Sequence, residues 1–173
     1  MLERADDDTV VVVFMHDDIW IDDFYLIQRV LEGLKEFDVI GVAGNRPRVA
    51  YQPGWNFANI EFERDASENL SGIFACGPQP AGEVQYYGPV PAAWELLDGV
   101  FLAARKSTLV THNVRFDPLF DFHCYDMDFC RTARQNGLRL GTWPISMTHQ
   151  SNGILGSPEW RTYYKKYLKK WGS

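Results

Sequence analysis

The sequence predicts an α/β domain in which helices flank a mostly parallel mixed sheet. Three observations favour this fold. The uninterrupted apolar run at residues 10–14 is typical of a strand that is buried on both faces. A strand, a helix and another strand follow one another within residues 10–43, as in a βαβ unit. Further along the chain, strand candidates at 99–104 and 138–143 enclose a helix at 126–136.

The first strand–helix–strand unit has the expected signals. Asp22 and Asp23 are suitable N-caps for a helix that runs to Glu36. Residues 39–43 then form a second short strand, which we expect to pair in parallel with the first through a right-handed crossover. Apolar residues at spacings of three and four predict that one stripe of this helix faces the sheet. The stripe consists of Phe24, Ile27, Leu31 and Leu34.

Residues 45–93 differ from the rest because Pro, Gly, Asn and scattered aromatic residues dominate them. We interpret them as a long irregular insertion within a single domain covering 1–173, with short strand candidates at 60–63 and 84–87. The chain ends in a helix at 158–173 whose aromatic side we expect to pack on the domain, with the lysines in water. The alternative is that this basic helix lies on an anionic membrane surface. Its aromatic residues are Trp160, Tyr164, Tyr167 and Trp171.

Composition and charge exclude several classes of protein. Hydrophobic residues make up 46% and charged residues 23% of the chain, which is typical of a folded globular domain. The net charge of −6 argues against a nucleic-acid partner, since phosphate backbones need a basic surface. Three cysteines without a CxxC pair favour free thiols in a reducing compartment. No apolar segment has the length of a transmembrane helix, and residues 1–6 do not resemble a signal peptide, so we expect a cytoplasmic protein.

Polar residues directly after the first strand form a candidate metal site. His16, Asp17 and Asp18 stand where an open α/β sheet binds ligands, beyond the carboxyl end of a strand. Carboxylates suit Mg²⁺ and Mn²⁺, and an imidazole ligand favours Mn²⁺. The alternative is that the two aspartates only cap a turn.

Two later positions could complete a catalytic site. Asp126 and Asp128 lie at the start of a helix, where the helix dipole favours an ionised carboxylate that could accept a proton; simple N-capping is the alternative. Asp98 and Gly99 precede an apolar strand and could bind sugar hydroxyls, with Gly99 allowing a close approach to the backbone, or could form a plain turn. His149 follows another strand candidate and is a further possible ligand, although a lone histidine there is commonly structural.

Taken in order, these segments resemble the family 2-like nucleotide-sugar glycosyltransferases, which have the Rossmann-like type A glycosyltransferase fold. The resemblance covers about residues 8–153 and depends on the order and spacing of several motifs. The matching segments are Phe14-Met15-His16-Asp17-Asp18, Gly41-Val42-Ala43-Gly44, Asp98-Gly99-Val100-Phe101, Phe116-Asp117, Tyr125-Asp126-Met127-Asp128-Phe129-Cys130, Gly137 and His149.

This resemblance implies roles for individual residues. Asp18 corresponds to the Mn²⁺ or Mg²⁺ ligand of the Asp-x-Asp motif, with His16 in place of the usual first acid. His149 corresponds to a histidine that often completes the metal shell. Asp126 corresponds to the carboxylate that deprotonates the acceptor hydroxyl in inverting members, preceded here by Tyr125 in place of the usual Glu. Asp98, Gly99, Asp17 and Asp128 correspond to substrate-binding positions.

The resemblance also implies an incomplete nucleotide pocket. Family members carry several strands and helices before the metal motif, whereas 16 residues precede Asp17 here. We therefore expect the sheet to have an exposed edge that a second copy or a partner subunit covers. The expected substrates are a nucleotide sugar and a glycan, lipid or protein acceptor.

Two other functions fit the same residues. His-Asp combinations also build metal-dependent phosphohydrolases, although those sites usually contain more histidines than this chain offers. The chain could instead be a non-catalytic carbohydrate- or nucleotide-binding remnant of the fold. In that case, aromatic side chains would form stacking surfaces, namely Trp55, Tyr86, Tyr87 and Trp94.

Overall fold

Two mixed sheets form the framework of the chain in the computed structural model, which describes residues 10–151 and 155–172. The expectation for residues 1–6 and the ends of the predicted domain therefore lie outside the described residues. The strands are β1 (Val11–Met15), β2 (Ile19–Ile21), β3 (Val39–Gly41), β4 (Ala43–Asn45), β5 (Leu70–Cys76), β6 (Glu83–Gly88), β7 (Ala92–Trp94), β8 (Leu96–Leu97), β9 (Phe101–Arg105), β10 (Leu140–Thr142) and β11 (Met147–His149). The helices are α1 (Leu26–Glu36), α2 (Lys106–Thr111), α3 (Tyr125–Gln135) and α4 (Pro158–Trp171).

Most strand pairs are antiparallel, so the general α/β class is confirmed but the mostly parallel, Rossmann-like sheet is wrong. The first sheet has the order β1-β9-β3-β10-β7, and the second has the order β2-β11-β5-β4-β8 with β6 also paired to β5. Within the described part of the chain, only β3 with β10 and β5 with β11 pair in parallel. In particular, β9 lies between β1 and β3 and runs antiparallel to both. The sequence pattern did not reveal this order because a short buried strand gains the same hydrophobic burial in either direction.

The first strand is an edge strand, and the prediction from its sequence that it is buried on both faces is wrong. Val13 is 41% exposed and Met15 is 55% exposed. Val13 is in register with Ala103 of β9, which is in register with Ile40 of β3, so these side chains share one face of the sheet. Ile40 lies against Gly33 of α1. Helix α1 therefore covers β3 on this face but leaves the outer strand β1 open.

Helix α1 starts later and is rotated differently from the prediction. Its N-cap is Tyr25, and Asp23 instead accepts a hydrogen bond from the Tyr25 backbone N–H at 2.8 Å and pairs with Arg29. The predicted inward stripe is mostly exposed. Gly33 fits against the indole of Trp143 and against Ile40, so the side of α1 that carries Gly33 is the one in contact with the sheet. Exposed fractions are 93% for Phe24, 76% for Ile27 and 39% for Leu31, whereas Val30, Gly33 and Leu34 are buried.

The segment 45–93 is not uniformly irregular, because it contains β5, the longest strand of the described chain. Sequence reasoning missed β5 since its run is interrupted by Gly72, but that glycine is required: its φ is 142°, and a Cβ there would overlap Ala43 of β4. The strand predicted at 84–87 is confirmed as part of β6. The strand predicted at 60–63 is wrong, since these residues form a turn in which Phe62 has a positive φ.

The remaining predicted elements are confirmed as β9, α3, β10 and α4. The run 39–43 divides at Val42 into β3 and β4, which belong to different sheets. The aromatic side of α4 is buried, as expected, at Trp160, Tyr164 and Tyr167. Within the described ranges, no helix combines the length and the hydropathy that crossing a bilayer requires.

Candidate functional site

A cavity of about 230 Å³ lies where strand ends of both sheets meet the start of α3. His16 follows β1 and Asp98 follows β8, while Cys76 and His149 are the last residues of β5 and β11. Asp126 lies in the first turn of α3. The convergence of strand ends thus gathers polar groups that are far apart in the sequence. The other walls are largely aromatic and include Trp55, Phe74, Tyr87, Phe122, Tyr125 and Trp160.

Three of the predicted site residues form a compact cluster of possible metal ligands. His149 Nε2 lies 3.2 Å from His16 Nδ1 and 3.2 Å from Asp18 Oδ1, and His16 Nδ1 lies 3.8 Å from Asp18 Oδ1. Antiparallel pairing of β2 with β11 creates this proximity, because it places His149 opposite Ile19 and lets the Gln150 N–H donate to the Asp18 carbonyl. The cluster predicted from sequence therefore comes together in the fold.

The charges of the cluster suit a cation. Burial would raise the pKa of Asp18, but a hydrogen bond with Ser151 and the two imidazoles outweigh it, so this pKa is lowered and the carboxylate stays ionised. Burial lowers the pKa of His149, and the neighbouring His16 lowers it further. The charge of Asp18 has the opposite effect but does not outweigh them. A neutral imidazole and an ionised carboxylate are the protonation states that metal binding needs.

The spacing of the cluster also fits a small divalent ion. A point equidistant from the three ligand atoms, and in their plane, lies ~2.0 Å from each, close to the metal–nitrogen and metal–oxygen bond lengths of first-row metals. The shorter separations also match those of adjacent ligands around such an ion. The separations of the three ligand atoms therefore fit an ion of this kind.

A pair of carboxylates forms another part of the same cavity. Burial raises the pKa of Asp98 to about 6, against hydrogen bonds from the Val100 N–H and the Trp55 side chain. Burial and the charge of Asp98 raise the pKa of Asp126 to about 6, although it accepts a 2.8 Å hydrogen bond from the Met127 N–H. Both side chains keep partial access to the cavity. They form a weakly basic pair, as expected for groups that exchange protons near neutral pH.

Gly99 has a different role from the one its sequence position suggested. A methyl group on Gly99 would overlap the hydroxyl of Tyr125, so the glycine makes room for this side chain. The Tyr125 hydroxyl lies 2.8 Å from His16 Nε2 and lines the cavity. Tyr125 is thus a site residue, although the sequence marked it only as a departure from the family pattern.

Two predicted substrate-binding aspartates lie away from the cavity. Asp17 is exposed in the turn between β1 and β2 and does not line the cavity. Asp128 is 1% exposed and faces α4, where its Oδ1 accepts hydrogen bonds from Lys170 Nζ and Trp171 Nε1, both at 2.7 Å. Helical geometry explains the difference from Asp126, because residues two apart lie on opposite sides of a helix.

The four aromatic residues proposed as stacking surfaces have different environments. Trp55 and Tyr87 line the cavity, with ring centroids 5.0 Å apart in an edge-to-face arrangement. Tyr86 is 65% exposed and does not line the cavity, and Trp94 is buried and donates from Nε1 to Thr142 Oγ1.

Sequence reasoning missed Cys76 and Trp160 as cavity residues. Cys76 is the last residue of β5, just as His16 directly follows the last residue of β1. Recognition of β5 in the sequence would therefore have placed Cys76 at a strand end, next to the other candidate site residues. The sequence predicts a core position for Trp160, and this residue is both 97% buried and part of the cavity wall.

No protein-family model matches this chain, and no curated protein matches its sequence.

Proposed function

We propose that this chain is a metal-dependent glycosyltransferase. It would move a sugar from a nucleotide-diphosphate donor to an acceptor hydroxyl. The observation that carries the proposal is that His16 and His149 of the metal-ligand cluster line the same cavity as a pair of carboxylates whose pKa values are near neutral. A sugar transferase needs both, one for the diphosphate and one for the attacking hydroxyl.

His16, Asp18 and His149 would hold the cation, for which Mn²⁺ and Mg²⁺ are the candidates. When bound, such an ion supplies positive charge that stabilises the departing diphosphate. The ligand cluster lies at the ends of β1 and β11, so the diphosphate of the donor would approach from that side of the cavity.

Asp126 is the proposed general base. Above a pH of about 6 its carboxylate is ionised and can remove the proton of the acceptor hydroxyl as that oxygen attacks the anomeric carbon. The bond from this carbon to the diphosphate oxygen breaks in the same step, which inverts the anomeric centre. The Met127 N–H fixes the orientation of the Asp126 carboxylate, and Asp98 beside it can accept a hydrogen bond from a sugar hydroxyl.

The cavity has room for only a small part of such a substrate complex. Its volume of about 230 Å³ is below the roughly 300–1,000 Å³ of pockets that enclose drug-sized ligands. We propose that the transferred sugar and the acceptor hydroxyl occupy it, while the nucleoside is bound outside it.

We also propose that a second copy or a partner subunit covers the free edge of β1. Among residues 10–151 and 155–172, only β9 pairs with β1. Strand β1 contains no charged residue or proline that would discourage pairing at its free edge. Val13 and Met15 are exposed beside this edge. Light scattering at micromolar concentration is expected to give more than one chain per particle; a uniform monomer would contradict the proposal.

A cytoplasmic location is the compartment we favour. Cys76, Cys124 and Cys130 are all free thiols, as expected in a reducing environment. Thiol titration of protein purified without reductant should find all three reactive after unfolding.

The central experiment combines binding and turnover. Wild-type protein is incubated with a panel of nucleotide sugars, with and without Mn²⁺, and both thermal stabilisation and release of nucleoside diphosphate are measured. We expect Asp126→Asn to keep metal-dependent stabilisation but to lose at least ~100-fold in turnover. Glu32→Gln, on the exposed side of α1, is the matched control and should behave as wild type.

Three outcomes of this experiment would contradict the proposal in different ways. Metal-dependent binding without turnover would identify a binding module. Release of nucleoside diphosphate that no acceptor accelerates would favour a hydrolase. Absence of any response to metal or nucleotide sugar would remove the basis for the glycosyltransferase assignment.

A further inference from the structure

The two ring nitrogens of His16 face different partners. Nδ1 points into the ligand cluster, 3.2 Å from His149 Nε2 and 3.8 Å from Asp18 Oδ1. Nε2 lies 2.8 Å from the Tyr125 hydroxyl. A neutral imidazole carries its proton on only one of these nitrogens, so the partner of one nitrogen decides what the other can do.

We propose that Tyr125 is a positioning residue that sets the tautomer and the orientation of His16 for metal binding. A metal ion held by this cluster would need the lone pair of Nδ1, and the His16 proton would then reside on Nε2. The Tyr125 oxygen is the acceptor that this N–H requires. The inference rests on the metal site of the proposed function, but it concerns a residue outside the ligand set.

The surroundings of Tyr125 hold its hydroxyl in place. Tyr125 is the first residue of α3, and its ring lies against Phe116, with centroids 5.7 Å apart. On another side, Gly99 approaches so closely that no side chain could fit between them. The hydroxyl therefore has little freedom to move away from His16 Nε2.

The chemistry of a tyrosine hydroxyl is compatible with this role. It can accept the His16 Nε2–H while keeping its own hydrogen.

The tautomer matters for the kind of ion that is bound. With Nδ1 of His16 available, the cluster offers two imidazole nitrogens and one carboxylate oxygen. This donor set favours Mn²⁺, Co²⁺ or Zn²⁺ over Mg²⁺, which prefers oxygen ligands. Without the Tyr125 acceptor, a proton on Nδ1 would have to be displaced before the metal could bind.

The test uses metal-free protein and a Co²⁺ titration. Nitrogen-15 NMR of the imidazoles, with His16 assigned by comparison with His16→Gln, reports which nitrogen carries the proton. Calorimetry measures Co²⁺ and Mg²⁺ affinity for wild type, Tyr125→Phe and the control Tyr163→Phe. Tyr163 donates from its hydroxyl to Asp121 and does not contact the cluster, so it matches the change without touching the site.

We expect the Nε2–H tautomer in the wild type, a loss of that preference in Tyr125→Phe, and Co²⁺ affinity about 10–100-fold weaker in this variant only. An Nδ1–H tautomer in the wild type would overturn the inference, as would equal Co²⁺ affinity for wild type and Tyr125→Phe. If the wild type binds neither Co²⁺ nor Mg²⁺, the proposed metal site fails. The tautomer measurement on the metal-free protein would still decide the role of Tyr125.

Discussion

Replacing the proposed catalytic base should make the protein more stable. In the folded chain the pKa of Asp126 is raised from 3.8 to about 6 by burial and by the charge of Asp98. Ionising this carboxylate near neutral pH therefore costs free energy in the folded state that it does not cost in the unfolded chain. Asp126→Asn removes the charge but keeps an oxygen that can accept the Met127 N–H.

The size of the effect follows from the shift in pKa. A rise from 3.8 to about 6 corresponds to a penalty of about 3 kcal/mol at most, at 1.36 kcal/mol per pKa unit. Part of this penalty arises jointly with Asp98, and the new amide hydrogens need an acceptor, so we expect a gain of about 1–2 kcal/mol. For a chain of this length, that corresponds to an increase of roughly 2–8 °C in the unfolding midpoint.

The dependence on pH gives the prediction its test. Because the folded pKa is above the unfolded one, the penalty is absent below pH 3.8, grows up to a pH of about 6 and is constant above it. Thermal unfolding of wild type and Asp126→Asn should thus differ at pH 7.5 and converge towards pH 4. Asp117→Asn is a control of opposite sign, since a hydrogen bond from Lys170 lowers the pKa of Asp117. If Asp126→Asn is less stable than wild type, by an amount independent of pH, the electrostatic reasoning is wrong.

Three further results are expected from the site and its supports. Gly99→Ala should destabilise the protein by about 1–3 kcal/mol in chemical unfolding and weaken Co²⁺ binding as Tyr125→Phe does, because the new methyl group displaces the Tyr125 hydroxyl; unchanged Co²⁺ affinity would contradict this. Asp128→Asn should lower the unfolding midpoint by several degrees through loss of its buried pair with Lys170, yet leave Co²⁺ affinity as in wild type. In a pH series of transfer rates, kcat/KM should fall as the pH drops below about 6, because Asp126 must be ionised; a rate that is flat down to pH 4.5 would exclude it as the base.

The sequence predicted the elements better than it predicted their arrangement. The apolar run at 99–104 predicted a strand, and the segment 126–136, which ends before Gly137, predicted a helix; the structure has β9 and α3 at these positions. The stripe that includes Ile27 failed because a single small residue, Gly33, determines which side of α1 meets the sheet. Strand β5 was missed because the glycine at position 72 is required by close contact with Ala43 of β4, and a local sequence pattern does not contain such a long-range contact.

For the candidate site, local sequence identified residues at strand ends and helix starts but not their directions. His16, Asp18 and His149 come together because β2 and β11 pair, which is a long-range event. Asp126 and Asp128 both looked suitable for substrate binding, and only the packing of α4 distinguishes them. Tyr125 could not be assigned from sequence, since its partner lies 109 residues away.

The C-terminal helix has a practical consequence for work on this protein. Its first turn supplies Trp160 to the cavity wall, and its last turn ties Lys170 and Trp171 to Asp128, two residues along the chain from the proposed base. Shortening the chain at this end would remove a wall of the cavity and loosen the start of α3 at once. Loss of activity in a shortened protein would therefore say nothing about membrane attachment, and affinity tags are better placed elsewhere.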